Sequence, residues 1–295
     1  MGIGLDGVEQ SGIKSRYPPI GHIRGIINNM LHLYLRLISA QIRSQMQYRS
    51  GFLFEAAASA VISAMVFVTF AFVIERFGNI AGWSLGEVGF LYGLIEFSFG
   101  LMDMIFSGFD PQNFGRQVRL GRLDQVLLRP INVTLQIFGS EFIMRRIGRI
   151  VQGLVILFVA EGMIDIQWTA LKVSFMPVVV ICQILFFGGL FVIGATITFW
   201  TFESIEVMNI FTYGGAEMMS YPMSIYPGWM RKFFTYILPA IFINYYPALF
   251  ILDKPDPLGM PGFAAFLSPL VGFSVFGFSL AFWKIGLRHY QSTGT

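Results

Sequence analysis

Long apolar runs separated by short polar breaks dominate the chain. Clean hydrophobic stretches cover 52–74, 88–109, 173–200 and 263–285, each close to the ~20 residues that cross ~30 Å of hydrocarbon. A further stretch is clean only from Ile150 to Ile164, which is too short. Its helix is therefore expected to start earlier, giving a span at about 143–164 with Glu141, Arg145, Arg146 and Arg149 on its first turns. Glu141 and Arg145, four apart, would form a modest helical pair.

Between Thr201 and Gly262 the pattern gives two answers. Hydropathy favours 233–252 as the fifth span, but Pro239 and Pro247 interrupt that run as they would a broken or re-entrant helix. Such backbone is tolerated only where protein or water covers it. The other arrangement makes 203–220 the fifth span and lets 221–252 dip back into the outer leaflet. Both arrangements give an all-α polytopic protein of six spans.

Residues 1–28 are rich in Gly and Pro without periodicity and read as a disordered cytoplasmic tail. Over 29–50, Leu31, Tyr34, Leu35, Ile38, Ile42 and Met46 recur at helical spacing. Arg36, Arg43, Gln47 and Arg49 fall elsewhere on the wheel, which predicts an amphipathic helix in the membrane interface. A single transmembrane unit over 51–285 and a short tail at 286–295 complete the expected organisation. No secretory signal peptide precedes the first span, so that span itself would direct insertion.

The most structured polar stretch is the insert at 108–136, GFDPQNFGRQVRLGRLDQVLLRPINVTLQ, with Arg116, Arg119, Arg122 and Arg129. Asp110 before Pro111 is a helix start, Gly121 a stop, and Pro130 ends a second short helix at Leu128 or Arg129. Phe114 and Val118, then Leu123, Val126 and Leu127, give each helix a narrow apolar edge among arginines. The insert reads as an element that docks on a partner protein; the alternative is a basic loop held by anionic headgroups.

Composition settles the class. Hydrophobic residues make up 55%, charged residues 13%, and the mean hydropathy is +0.65, which leaves no soluble domain of useful size. Of the 20 basic residues, all but Arg76, Lys172 and Lys254 fall on one side in the first arrangement. The second also moves Arg231 and Lys232 across. Either way both termini and the insert are expected in the cytoplasm. Trp83, Trp168, Trp200 and Trp283 lie at expected span ends, where an amphipathic ring prefers the interface.

Catalytic patterns are missing. There is no phosphate-binding loop, no nucleophile triad, and His22, His32 and His289 all lie outside the spans. The lone Cys182 reads as a small buried apolar residue. One face of the second span does stand out: Gly93, Glu96, Gly100, Asp103 and Ser107 form a stripe of small and acidic residues that should face a helix or a watery cavity. Glu96, Gly100 and Asp103 are candidates for a substrate path, with Glu96 offering a negative group near mid-membrane. Alternatively Asp103 and Glu96 pair with Arg145 or Arg149 and fix helix packing. Glu203, Glu206 and Glu217 are ordinary if cytoplasmic and of interest if within a span.

GRLDQVLLRPIN at 121–132, FWTFES at 199–204 and YPMSIYPGWMRKFFTYILPAIFINYYPALF at 221–250 make the chain resemble a permease subunit of the type-2 ATP-binding-cassette exporters with a separately encoded ATPase. That resemblance implies that residues around 29–49 and a coupling helix at 110–122 contact the ATPase, through Asp110, Gln112, Phe114, Arg116, Val118 and Arg119. It also implies a re-entrant element before the last span, favouring 203–220 as the fifth span despite Glu206, Asn209 and Glu217. No cofactor is expected in this chain, since ATP and magnesium would sit on a cytoplasmic ATPase dimer. The other partners would be a second permease, identical or related, and the lipid bilayer, with no nucleic acid. The implied location is the bacterial inner membrane. The implied activity is outward movement of a small amphiphilic, drug-like or cationic, or lipid-like compound by alternating access. The insert would transmit force as a tilt of spans two and three. The main rival is an ATP-independent secondary transporter or channel, and an integral membrane enzyme is a weaker one.

Overall fold

The computed structural model describes residues 36–45, scattered positions from 51 to 79, and residues 81–291 apart from 144–145 and 202–205. The N-terminal tail, the ends of the interfacial helix, most of the first span, Arg145 and Glu203 lie outside them. The described chain is all-helical. Helix α1, residues 36–45, lies against the segment that follows the insert: Gln41 Nε2 donates to the Ser140 carbonyl at 2.6 Å, and Gln45 Nε2 to that of Phe142. Described positions of the first apolar run are helical, and Phe54, Val61, Met65, Val68 and Phe72 expose their side chains. Apolar exposure on a helical spacing suits a lipid-facing stripe.

Helix α2, Leu85–Ile105, is the centre of the bundle. Ser84 and Glu87 form a capping box at its start, each side chain bonding the other's backbone N–H. After it come the short insert helices α3 (Pro111–Arg119), α4 (Arg122–Leu127) and α5 (Val133–Phe138), then α6 (Ile147–Gly162). Helix α6 starts later than the sequence suggests. Glu141 precedes it in irregular chain, where its side chain accepts from Gln117 Nε2 at 3.1 Å. At 16 residues, ~1.5 Å each, α6 alone is shorter than a typical hydrocarbon core.

Glycines bring α2 and α6 together. A Cβ on Gly93 would stand 2.9 Å from Leu157 N, and one on Gly100 2.9 Å from Ile150 Cγ1. Between hydrocarbon-embedded helices water-driven burial is absent, so close approach at small residues supplies much of the attachment. Helix α7, Ala170–Thr201, and helix α12, Ser268–His289, meet the same way, with Gly272 against the Cys182 backbone and Gly286 against Thr196 and Phe199. Leu85–Ile105, Ala170–Thr201 and Gly262–His289 are the three described helices long and apolar enough to cross a membrane.

The contested region is neither a plain loop nor one straight helix. Helix α8 (Glu206–Asn209), a π-helical turn at Ile210–Gly214 and helix α9 (Gly215–Met219) run consecutively. The apolar run 233–252 is broken: Gly228–Ile237, which begins with helix α10 (Gly228–Lys232), and Ala240–Ile251, which ends with helix α11 (Tyr245–Ile251), meet at 79°. Pro239 lies at the break, where it cannot donate to a helical ladder.

Asn244, fully buried beyond the bend, holds the pieces. Its Nδ2 donates to the carbonyls of Met219 (2.8 Å) and Leu91 (3.4 Å), and its Oδ1 accepts from Gln183 Nε2 at 3.0 Å. One side chain thus links α9, α2 and α7. Lys172 pairs with Asp253, and Lys254 with Glu87 at 2.7 Å, closing the broken segment over the end of the bundle away from the insert. Two tryptophans expected at the interface are core residues instead: Trp83 packs on Tyr245, and Trp283 donates to Thr134 Oγ1 at 3.0 Å. Trp168 and Trp200 remain exposed.

The α2–α6 contact yields a test. A Cβ on Gly153 would lie 2.7 Å from Phe97 Cα and 3.0 Å from the Glu96 carbonyl carbon, backbone that cannot turn aside. Gly153→Val is expected to lower stability by ~1–3 kcal/mol or more, read as a lower melting temperature in detergent. Gly162→Ala, with open space at its Cβ, is the control that leaves it unchanged.

Candidate functional site

The insert is built into the bundle. Asp110 Oδ1 accepts from the backbone N–H of Gln112 and Asn113, both at 3.0 Å, which caps α3 as the sequence implies. Its Oδ2 accepts from Tyr213 O–H at 3.0 Å, joining the insert to the π-helical turn. Pro111 fits over Gly194 of α7. Gly121 turns the chain at φ +64°, the left-handed region that glycine adopts freely. Tyr290 O–H donates to Asp124 Oδ1 at 3.0 Å and ties α4 to the C-terminal segment. Burial, with the bond to Asp124 and its charge, pushes that phenol up to about 12.

The apolar edge of α3, expected to dock on a partner, points inward into this chain's own bundle. Phe114 is 2% exposed and Val118 0%. The Phe114 ring meets Phe199 edge-on at 5.7 Å and Trp283 at 5.6 Å, and stacks over Phe109 at 6.5 Å. A helical apolar edge reads the same whether its own chain or another covers it. The outward face carries Gln112, Arg116 and Arg119, continued by exposed Leu120, Arg122, Leu127, Leu128 and Arg129. Leu128, 85% exposed, is the most prominent apolar side chain there.

The acidic stripe of α2 is occupied. Arg149 of α6 grips Glu96 with both Nε and Nη2 at 2.6 Å, the bidentate geometry of a strong pair, and lies 4.5 Å over the Phe99 ring. Arg146 Nε stands 2.8 Å from Asp103, in place of the expected Arg145 or Arg149. Ser107 Oγ donates to the Glu141 carbonyl at 2.6 Å. Both acids are almost fully buried, and Gly100 lies under Ile150. The stripe therefore faces a helix. Glu217 of α9 lies near this seam with its side chain exposed, while Glu206 accepts from Asn209. Among the described residues no group of three or more His, Cys, Asp or Glu could hold a metal ion.

Sequence reasoning passed over Asn244 and Gln183. A signal was present, since each is an isolated carboxamide within an apolar run, where an unpartnered amide is costly.

The seam predicts asymmetric mutational behaviour. Arg149→Gln leaves the Glu96 carboxylate buried without its partner, and loss of one member of such a pair costs ~3–5 kcal/mol. The expected outcome is a large fall in melting temperature, with partial recovery in the Glu96→Gln/Arg149→Gln double variant, where no charge is stranded.

A family model described as ABC-2 family transporter protein matches residues 60–294. No curated protein and no solved structure matches the chain. Because the matched region takes in the insert, the charged seam and the broken helix alike, helices α2 to α12 all fall under that description, and the chain belongs to the ABC-2 transporter family as a permease subunit.

Proposed function

We propose that this chain is the membrane-spanning half of an ATP-driven exporter and receives force through the insert. The family implies an ABC ATPase partner and a membrane, and its members are transport subunits rather than catalysts. The observation that carries the reading is the insert's two-sidedness: an aromatic inner face locked into the bundle and an outer face of arginines and leucines. A loop held by headgroups needs no such inner face. Gln112, Arg116 and Arg119, with Leu120 and Leu128, are the proposed ATPase contacts. Asp110, Phe114 and Val118 position them from beneath.

The proposed topology has six spans: the first apolar run, α2, α6 with the chain before it, α7, Glu206–Met219 and α12. Glu206–Met219 is chosen for the fifth because Tyr213 bonds Asp110 at the insert end, while the Met219 carbonyl meets Asn244 beside Leu91 nearer the other end. Residues 221–252 would then be re-entrant from the outer side, with both termini and the insert in the cytoplasm of a bacterial cell. A second permease, identical or related, completes the pathway. Cargo is a small amphiphilic or lipid-like compound, moved outward by alternating access. Because the insert packs on α2, α7 and α12, force would pass to those helices together rather than to the second and third spans alone. Arg149 covers Glu96, Ile150 covers Gly100 and Arg146 covers Asp103, so we assign that seam to holding the bundle rather than to cargo.

Charge reversal on the outer face separates docking from folding. Arg116→Glu with Arg119→Glu is expected to reduce recovery of the ATPase with tagged protein at least roughly tenfold, while the permease keeps its melting temperature. Undiminished recovery would remove the insert as the contact.

A further inference from the structure

At the end of the bundle away from the insert, two basic side chains are neutralised in place. Lys172 pairs with Asp253, and Lys254 pairs with Glu87 and lies 5.0 Å over the Trp83 ring. Arg231 and Lys232 differ. Among the described residues neither has a carboxylate partner, and Arg231 Nε is buried without a hydrogen-bond partner. Both line a cavity of about 200 Å³ together with Thr235, Tyr236, Tyr246 and Met260, and no Asp or Glu contributes to its wall.

We propose that this cavity binds the phosphate of an anionic lipid headgroup. A guanidinium supplies a planar fork for phosphate oxygens and an ammonium a movable point charge. The Tyr236 and Tyr246 phenols offer further donors. The Arg231 Nε has no acceptor within the described chain, so the guanidinium reaches the cavity wall without a protein group that offsets its charge. The surroundings favour a lipid over a soluble phosphate, because Trp229, Tyr236 and Ile237 are 70%, 77% and 72% exposed on the same short segment. Such a rim suits the boundary between headgroups and acyl chains, where a soluble anion gains nothing. A neighbouring cavity of about 300 Å³ shares Tyr246 and Met260 and contains Asp253 and Asp256. Those acids are engaged, Asp253 by Lys172 and Asp256 by the N–H groups of Leu258 and Met260 at 2.9 and 2.7 Å. The site requires neither an ATPase nor a direction of transport, so it stands or falls separately from the exporter reading.

The test is native mass spectrometry of the purified full chain in detergent, with phosphatidylglycerol or phosphatidylcholine of identical acyl chains. Wild type is expected to retain phosphatidylglycerol preferentially. Arg231→Gln with Lys232→Gln should reduce that preference by roughly tenfold or more, and Arg116→Gln with Arg119→Gln should not. Thr235→Asp, which sets a carboxylate beside Arg231, should give the same loss, so the result does not hinge on one variant folding. Unchanged preference in both pocket variants overturns the proposal. Displacement of bound lipid by millimolar glycerol 3-phosphate overturns the lipid assignment in favour of a soluble phosphate compound.

Discussion

The packing of Phe114 against Phe109, Phe199 and Trp283 makes the arginine-rich insert part of the bundle instead of a loop hung from it. Edge-on and stacked aromatic contacts of this kind combine large buried area with defined geometry, and they join the turn after α2, the end of α7 and the last turns of α12. Once the ring is seated, α3 has one orientation. Val118 goes inward with it, Asp110 caps the helix start and holds Tyr213, and Arg116 and Arg119 have nowhere to point but outward. The insert's external chemistry is thus a consequence of its internal packing.

Within the bundle the attachments are those that work without water. Glycines let α2 meet α6 and α7 meet α12 at backbone distance. Polar groups are then spent on position: Glu96 with Arg149 and Asp103 with Arg146 fix α6 along α2, and Asn244 fixes the broken helix against three others. A carboxamide is well suited to that last task. It donates to the Met219 and Leu91 carbonyls and accepts from Gln183 at once, while Gln183 also donates to the Ile243 carbonyl beside the bend.

Much of this was legible in the sequence where the signal is local. Asp110–Pro111 and Gly121 announce α3 and its end because capping and left-handed turns depend on neighbouring residues alone. The stripe from Gly93 to Ser107 announces a face that must avoid lipid. What covers a face is not local. Phe114 and Val118 mark an edge without saying that Phe199 and Trp283 lie under it, and Glu96 asks for a cation without choosing Arg149. Trp83 and Trp283 show the same limit, since a tryptophan near a span end looks identical whether the interface or another helix receives it. Hydropathy does not decide over 233–252 for a related reason: it counts apolar residues and cannot see a 79° bend.

On this account the insert and the helices it joins move as one body when a partner ATPase closes. Distances between spin labels test that most directly, with one at Gln125 on the exposed face of α4 and one at exposed Leu171 in the first turn of α7, at the end away from the insert. The native Cys182 is buried and should stay unlabelled. In the assembled complex while it hydrolyses ATP, a single narrow distance that is the same with and without nucleotide is expected. A distribution that shifts or broadens with nucleotide would mean that the insert swings on its own, contradicting the account.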